Sequence, residues 1–180
     1  MKILALSGSC RADSWNTRLL RAAGQLAPEN VEIVPAISID RLPHFNEDTE
    51  KDRSATGVVA DFRRAMAGSD ALLIATPEYN QSLPGVLKNA LDWLSRSDPD
   101  PLQGKPVAVI GATVGPWGTR LAQAHLRHVL HVLGMRVVGA PLYLANASTQ
   151  LDANGEWHPQ VQAKLRAVLG GLAGSVVVSG

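Results

Sequence analysis

Ile3-Leu4-Ala5-Leu6, followed by Ser7-Gly8-Ser9-Cys10-Arg11-Ala12-Asp13-Ser14-Trp15-Asn16-Thr17, is the stretch on which the fold turns. The four apolar residues read as a buried strand. The residues after them are too small and polar for a core. They lead into Arg18-Leu19-Leu20-Arg21-Ala22-Ala23, which reads as a helix. Strand, hydroxyl-rich loop and helix N-terminus together favour an anion, because the first helical N–H groups lack partners and the macrodipole is positive there. Ser7, Ser9, Ser14 and Thr17 add hydroxyls, Asn16 an amide, and Arg11 a fork suited to phosphate. The competing reading is an ordinary loop capped by Asp13 or Ser14.

Outward from this stretch, the pattern repeats. Val31 to Val34 is a second strand, followed by a polar excursion from Asp40 to Arg53. Val58, Val59, Phe62, Ala65 and Met66 recur at helical spacing, which predicts a helix over about 55–67. Asp70 to Thr76 is a continuous apolar run, as expected of a central parallel strand covered on both faces. After the loop Pro77 to Ser82, Pro84 opens a helix whose apolar face is Leu83, Val86, Leu87, Ala90, Leu91 and Leu94. Pro106 to Ala112 is a fourth strand and Thr113 to Thr119 a third loop. A helix follows, marked by Leu121, Ala122, Leu126, Val129, Leu130 and Leu133. Arg136 to Leu144 holds a fifth strand, interrupted near Gly139-Ala140-Pro141. Val161, Leu165, Val168 and Leu169 mark a last helix, and residues 170–180 read as a loose glycine-rich tail. Five strand–helix alternations imply an α/β protein: one domain over residues 1–180, with a parallel sheet and helices on both faces. Ligands of such sheets bind at the carboxyl ends of the strands, where three polar loops of this chain converge.

Composition narrows the function classes. The chain has 180 residues, 46% hydrophobic and 18% charged, with formal net charge +1. That describes an ordered globular protein and gives no electrostatic reason for nucleic acid or a membrane surface as partner. The apolar run at the N-terminus is far shorter than the roughly 7–15 residues of an export signal. No stretch approaches the ~18 apolar residues of a membrane span. One cysteine forms no internal disulfide, which fits a cytoplasmic setting.

The loops select the ligand. A dinucleotide fingerprint needs G-x-G-x-x-G, and only Gly8 is present; no Gly-Lys-Ser or Gly-Lys-Thr of a phosphate-binding loop exists. A phosphatase loop built on Cys10 would set an arginine six residues on, but that residue is Asn16. Cys10 therefore reads as a small, partly buried loop residue without a nucleophilic role. Pro77-Glu78-Tyr79-Asn80 offers backbone donors and an aromatic face to a flat ring, and Gly115, Trp117 and Gly118 permit close approach on the other side. A phosphate at the first loop and a planar ring between the other two describe a mononucleotide such as FMN.

At this point the chain resembles the NAD(P)H-dependent FMN reductases of flavodoxin-like fold, which include quinone, azo-compound and chromate reductases. The resemblance rests on residues 8–16, on Leu42-Pro43-His44-Phe45-Asn46-Glu47-Asp48, and most firmly on the block from Pro77 to Arg96. It implies a doubly wound five-stranded parallel sheet of order 2-1-3-4-5. It also implies an oxidoreductase passing hydride from NADPH or NADH through FMN to a small-molecule acceptor: a quinone, free flavin, azo compound or metal oxyanion. The implied FMN contacts are Ser9, Arg11, Ser14, Trp15, Asn16 and Thr17 at the phosphate. Pro77, Glu78, Tyr79, Asn80 and Ser82 would edge the ring, with Thr113, Gly115, Trp117 and Gly118 at its far end. No catalytic acid or base is needed, because the chemistry belongs to the flavin; Tyr79 and Trp117 would shape the pocket. Asp13 is expected to face solvent. The alternative from another class is a flavodoxin-type electron carrier, disfavoured by the net charge and by Arg11.

Three further features have plain readings. His125, His128 and His131 share a helix without a neighbouring carboxylate, which points to surface or interface residues and to no metal site. Asp92 and Arg96 have the spacing of a surface ion pair. Trp93 and Leu94 exceed what one apolar stripe needs, and the resemblance implies a homodimer or homotetramer, expected through the 83–96 helix.

Overall fold

The computed structural model describes residues 1–51 and 57–177. The elements are β1 (Lys2–Ser7), α1 (Trp15–Leu26), β2 (Glu32–Pro35), α2 (Gly57–Ala67), β3 (Ala71–Ala75), α3 (Gly85–Ser95), β4 (Pro106–Ala112), α4 (Arg120–Val132), β5 (Arg136–Val137), β6 (Leu142–Leu144) and α5 (Pro159–Val177). The sheet runs β2-β1-β3-β4-β5, all parallel, as expected for a flavodoxin-like fold. The interrupted fifth strand resolves into β5 and β6, which pair with opposite ends of β4. The helix expected from residue 55 is described from Gly57; residues 55 and 56 lie outside the described ones.

The central strands are apolar throughout because both faces are covered. Ile3 and Ala5 of β1, Leu73 of β3 and Ile110 of β4 pack with α1 and α5. Their neighbours Leu4, Leu6, Leu72, Ile74 and Val109 pack with α2, α3 and α4 on the other face. Strand alternation thus feeds two cores at once. Helix α1 begins where Ser14 caps it, its Oγ accepting the N–H groups of Asn16 (3.2 Å) and Thr17 (3.4 Å). It stops at Ala27, held extended before Pro28.

Three expectations change. The glycine-rich stretch after Leu169 is helical as far as Val177, with Leu172 fully buried, because α5 uses that residue to close the first core; residues 178–180 lie outside the described ones. Trp93 and Leu94 offer no surface to a second subunit, since both are fully buried within this chain. The indole Nε1–H of Trp93 donates to the Pro43 carbonyl at 2.7 Å, and its ring meets Phe45 edge-on with centroids 5.1 Å apart. Asn89 completes the clasp: its amide donates to the Pro43 carbonyl at 3.0 Å and accepts the Phe45 N–H at 2.7 Å. The segment 42–48 and the block 77–96 are therefore one packing unit. Finally, Asp92 pairs with Lys88 (2.6 Å), and Arg96 reaches Glu50 (3.2 Å) instead of Asp92. Arg96 sits at the helix C-cap with non-helical backbone, so the i,i+4 geometry is lost.

Candidate functional site

Parallel register puts the ends of β1, β3 and β4 side by side, and backbone bonds carry that adjacency into the loops. The Gly8 N–H donates to the Ala75 carbonyl (2.8 Å), Thr76 to Ile110 (3.0 Å) and Thr113 to Leu144 (3.0 Å). A Cβ on Gly8 would lie 3.1 Å from Leu87 and 3.3 Å from both the Ala75 carbonyl and Pro77, so the first two loops meet only because residue 8 has no side chain. On Gly111 it would fall 1.9 Å from Thr119 Oγ1 and 2.5 Å from the Thr76 carbonyl.

The first loop is a concentration of free donors. Among the described residues, the backbone N–H groups of Cys10, Ala12, Asp13, Ser14 and Trp15 donate to no group of the chain. The Ser7 and Thr17 hydroxyls bond each other at 2.9 Å, and Ser9 Oγ accepts the Arg11 N–H at 3.4 Å. Arg11 is exposed and forms no ion pair among the described residues, and Asp13 is exposed as well. A run of unpaired N–H groups at a helix start, with hydroxyls and a free guanidinium beside it, fits a phosphate.

Three residues expected at the phosphate have other partners. Ser14 spends its acceptor on the cap. Asn16 is buried, its Nδ2 donating to the Ala112 carbonyl (3.1 Å) and its Oδ1 accepting the Ala112 N–H (2.9 Å). It ties the start of α1 to the end of β4. Trp15 packs against Trp157, with ring centroids 5.9 Å apart, under the Arg18 guanidinium.

Cys10 is exposed, not partly buried. Desolvation, reinforced by the Asp40 carboxylate, raises its thiol above the ordinary cysteine range, although a hydrogen bond from the Asp40 backbone works against this. A raised thiol is a poor nucleophile at neutral pH. A cavity of about 610 Å³ opens behind this loop toward β2 and is bordered by Ser9, Arg11 and Thr17. No residue of the second or third loop lines it, so the case for a flat ring rests on the strand edge and not on this cavity.

The second loop is built around Tyr79 and Ser82, whose N–H and carbonyl groups exchange bonds of 3.1 and 3.0 Å. Asn80 and Gln81 between them take φ values of 50° and 63°, the conformation of a tight hairpin turn. Pro77 is buried, while Tyr79 is 48% exposed and free to meet a ligand. Glu78 was expected at the ring; its carboxylate instead accepts the N–H groups of Leu121 (2.8 Å) and Ala122 (2.9 Å), capping α4. Ser82 Oγ lies 3.2 Å from His125 Nδ1. In the third loop, Thr113 Oγ1 accepts the Gly115 N–H at 3.3 Å, and Trp117 is 75% exposed. Gly118 has φ +70° and a Cβ there would press on Tyr143 at 3.0 Å.

Sequence reasoning missed the segment after β6. The Asn146 N–H donates to Gly115 (3.0 Å) and Ala147 to Thr113 (2.9 Å), so this segment braces the third loop. The only signal was an Asn-Ala-Ser run after a strand. His125, His128 and His131 are all exposed, and among the described residues no three His, Cys, Asp or Glu side chains are grouped to hold a metal.

The sequence model of the NADPH-dependent FMN reductase family matches residues 1–150. A 2-hydroxy-1,4-benzoquinone reductase from a Burkholderia species is 42% identical over 157 residues, covering 86% of this chain and 84% of that protein. An NAD(P)H-dependent FMN reductase of Pseudomonas aeruginosa is 42% identical over 159 residues, covering 86% and 83%. Among solved structures, a flavoenzyme NAD(P)H:(acceptor) oxidoreductase from Paracoccus denitrificans aligns with a TM-score of 0.85 at 32% identity, covering 97% of this chain and 98% of that one.

Proposed function

The chain belongs to the NADPH-dependent FMN reductase family, and from that premise we propose that it is an FMN-containing oxidoreductase carrying hydride from NADPH or NADH to a quinone or a similar small acceptor. The observation that carries this reading is the set of unpaired N–H groups of Cys10 and of Ala12 to Trp15, at the edge their loop shares with two further loops. When bound, FMN supplies the ring that accepts hydride and hands electrons on.

The protein's part is to bind, orient and shield. Ser9, Arg11, Thr17 and the free N–H groups of the first loop would hold the phosphate. Ser14 and Asn16 position that loop from behind, through the cap and the tie to Ala112. The backbone of residues 77–80 would edge the ring, with Tyr79 against it. Thr113, Gly115, Trp117 and Gly118 would close the far end. No side chain is assigned a proton-transfer role.

Purified protein should be yellow and should oxidise NADPH or NADH when a quinone is supplied. A colourless protein that takes up no added FMN would refute the reading. A yellow protein inert toward both pyridine nucleotides would make it an electron carrier instead. No described helix is long and apolar enough to cross a membrane, and the cytoplasm is the proposed location. Self-association into a dimer or tetramer is proposed as well. With Trp93 and Leu94 consumed by the fold, its apolar surface comes from exposed Trp117, Leu121 and Val132 rather than from α3. Sedimentation of wild type against Val132→Lys tests that surface.

A further inference from the structure

Helix α1 turns one face toward the outermost strand and leaves a groove there. Thr17, Leu20, Arg21 and Gly24 recur at helical spacing along that face, and they line the cavity of about 610 Å³ behind the first loop. β2 is the last strand of the sheet, so the sheet ends beside the groove. Nothing lies within 4 Å of the place a Cβ would take on Gly24, so the groove is open at that position too.

The walls decide what can sit there. Leu20, Ile33, Ala36, Ile37 and Ile39 give an aliphatic lining, and neither an aromatic nor an acidic side chain is among the lining residues. A nucleobase gains its hold by stacking on aromatic rings, so an aliphatic body is favoured over a base. Arg11 borders the groove from the first loop and Arg21 from α1, and both are exposed. Among the described residues neither guanidinium has an ion-pair or hydrogen-bond partner. The Asp40 carboxylate, which acts on the Cys10 thiol, accepts the Ser38 hydroxyl and is not part of the lining. From Thr17 to Gly24 the helix advances about 10 Å, the length of a chain of about eight carbons.

We propose that this groove binds an amphiphilic anion, an aliphatic chain whose carboxylate or phosphate head meets the guanidinium groups at the rim. A guanidinium fork matches either head. The chain is held by burial of its methylenes against Leu20, Ile33, Ala36, Ile37 and Ile39. Ser9, Arg11 and Thr17 border both the groove and the proposed phosphate position, whereas Arg21 and Gly24 are no part of the flavin contacts. Occupancy of the groove therefore stands apart from the flavin reading.

The test is calorimetric titration with octanoate and with octyl phosphate, below their micellar concentrations and at low ionic strength, on protein supplied with FMN. Protein that takes up no FMN is titrated as it stands, so a failed flavin reading leaves this test intact. One saturating site is expected, and the tighter ligand identifies the head group. The six-carbon homologue of that ligand should bind roughly tenfold more weakly, for the loss of two buried methylenes. Arg21→Met should weaken binding about five- to tenfold, the loss of a charge-assisted contact at a rim. Arg64→Met, at an exposed arginine paired with Asp61, should leave it intact. Gly24→Leu should abolish binding yet melt no lower than wild type, because its side chain enters open space and leucine is the better helix former. Cys10, the single cysteine, borders the groove, so the ligand should slow its alkylation in wild type and not in Gly24→Leu. A response that never saturates, AMP binding as tight as the octyl ligand, full binding by Arg21→Met or Gly24→Leu, or an unprotected Cys10 would each overturn the proposal. So would binding that fades as protein concentration rises, the mark of a second copy in the groove.

Discussion

Asn16 offers a clean separation between holding the cofactor and holding the fold. Its amide makes a two-point contact with the Ala112 backbone, at 3.1 and 2.9 Å, in a site where the side chain is 3% exposed. Asn16→Ala deletes two hydrogen bonds and strands both backbone groups of Ala112. Each bond is worth roughly 0.5–1.5 kcal/mol, and a buried unsatisfied group costs roughly 1–3 kcal/mol. The terms overlap, so the expected loss is about 3 kcal/mol, a drop in the urea midpoint on the order of 1–2 M. Asn16→Asp refines the test. It keeps the shape and the bond from the Ala112 N–H, but sets a carboxylate oxygen against the Ala112 carbonyl where Nδ2 now donates. Protonation restores a donor, and burial raises this carboxyl, so the aspartate variant should recover stability relative to wild type as pH falls into the acid range. The assay is equilibrium urea unfolding of flavin-free protein, beside FMN titration of the same samples. If flavin-free Asn16→Ala unfolds with wild type while its FMN affinity collapses, Asn16 serves the phosphate and not the tie to β4.

Other outcomes follow from the same geometry. Arg11→Ala should weaken FMN binding about tenfold or more without moving the urea midpoint of the flavin-free protein, since the guanidinium is exposed and unpaired; equal affinity in a fluorescence titration would contradict its role. Gly111→Ala should cost several kcal/mol or fail to fold, because its Cβ would fall 1.9 Å from Thr119 Oγ1 and 2.5 Å from the Thr76 carbonyl; a variant with wild-type melting would refute that packing. Cys10 should alkylate more slowly with iodoacetamide at neutral pH than a free thiol, with a rate that climbs toward alkaline pH. Partial desolvation of the thiol and the Asp40 carboxylate keep its proton on, so a rate that levels off at neutral pH would contradict the raised thiol.

The sheet was legible because both of its cores write themselves into the strands: Ile3, Ala5 and Leu73 serve one face, Leu4, Leu6 and Leu72 the other, leaving unbroken apolar runs. The three loops were legible through their composition. Partners were not. Asn16 and Ala112 stand 96 positions apart, and a polar residue at a helix start looks the same whether it waits for a ligand or ties down a strand. Glu78 is a similar case, since a carboxylate beside a ring site gives no sign that two N–H groups of α4 already occupy it. Trp93 looked like surplus hydrophobicity because its partners, Pro43 and Phe45, lie in an excursion whose docking no periodicity records. Gly170, Gly171 and Gly174 weakened the helical signal locally, while Leu172 between them supplied the burial that sustains the helix.

The Glu78 carboxylate has a mechanical consequence. It fastens the second loop to α4, as Asn16 fastens the first loop to β4, and both fastenings are made by the chain's own groups. The strand edge is cross-braced by the chain itself. Little ordering is left for an arriving mononucleotide to impose, so less of its binding energy is spent on shaping the receptacle.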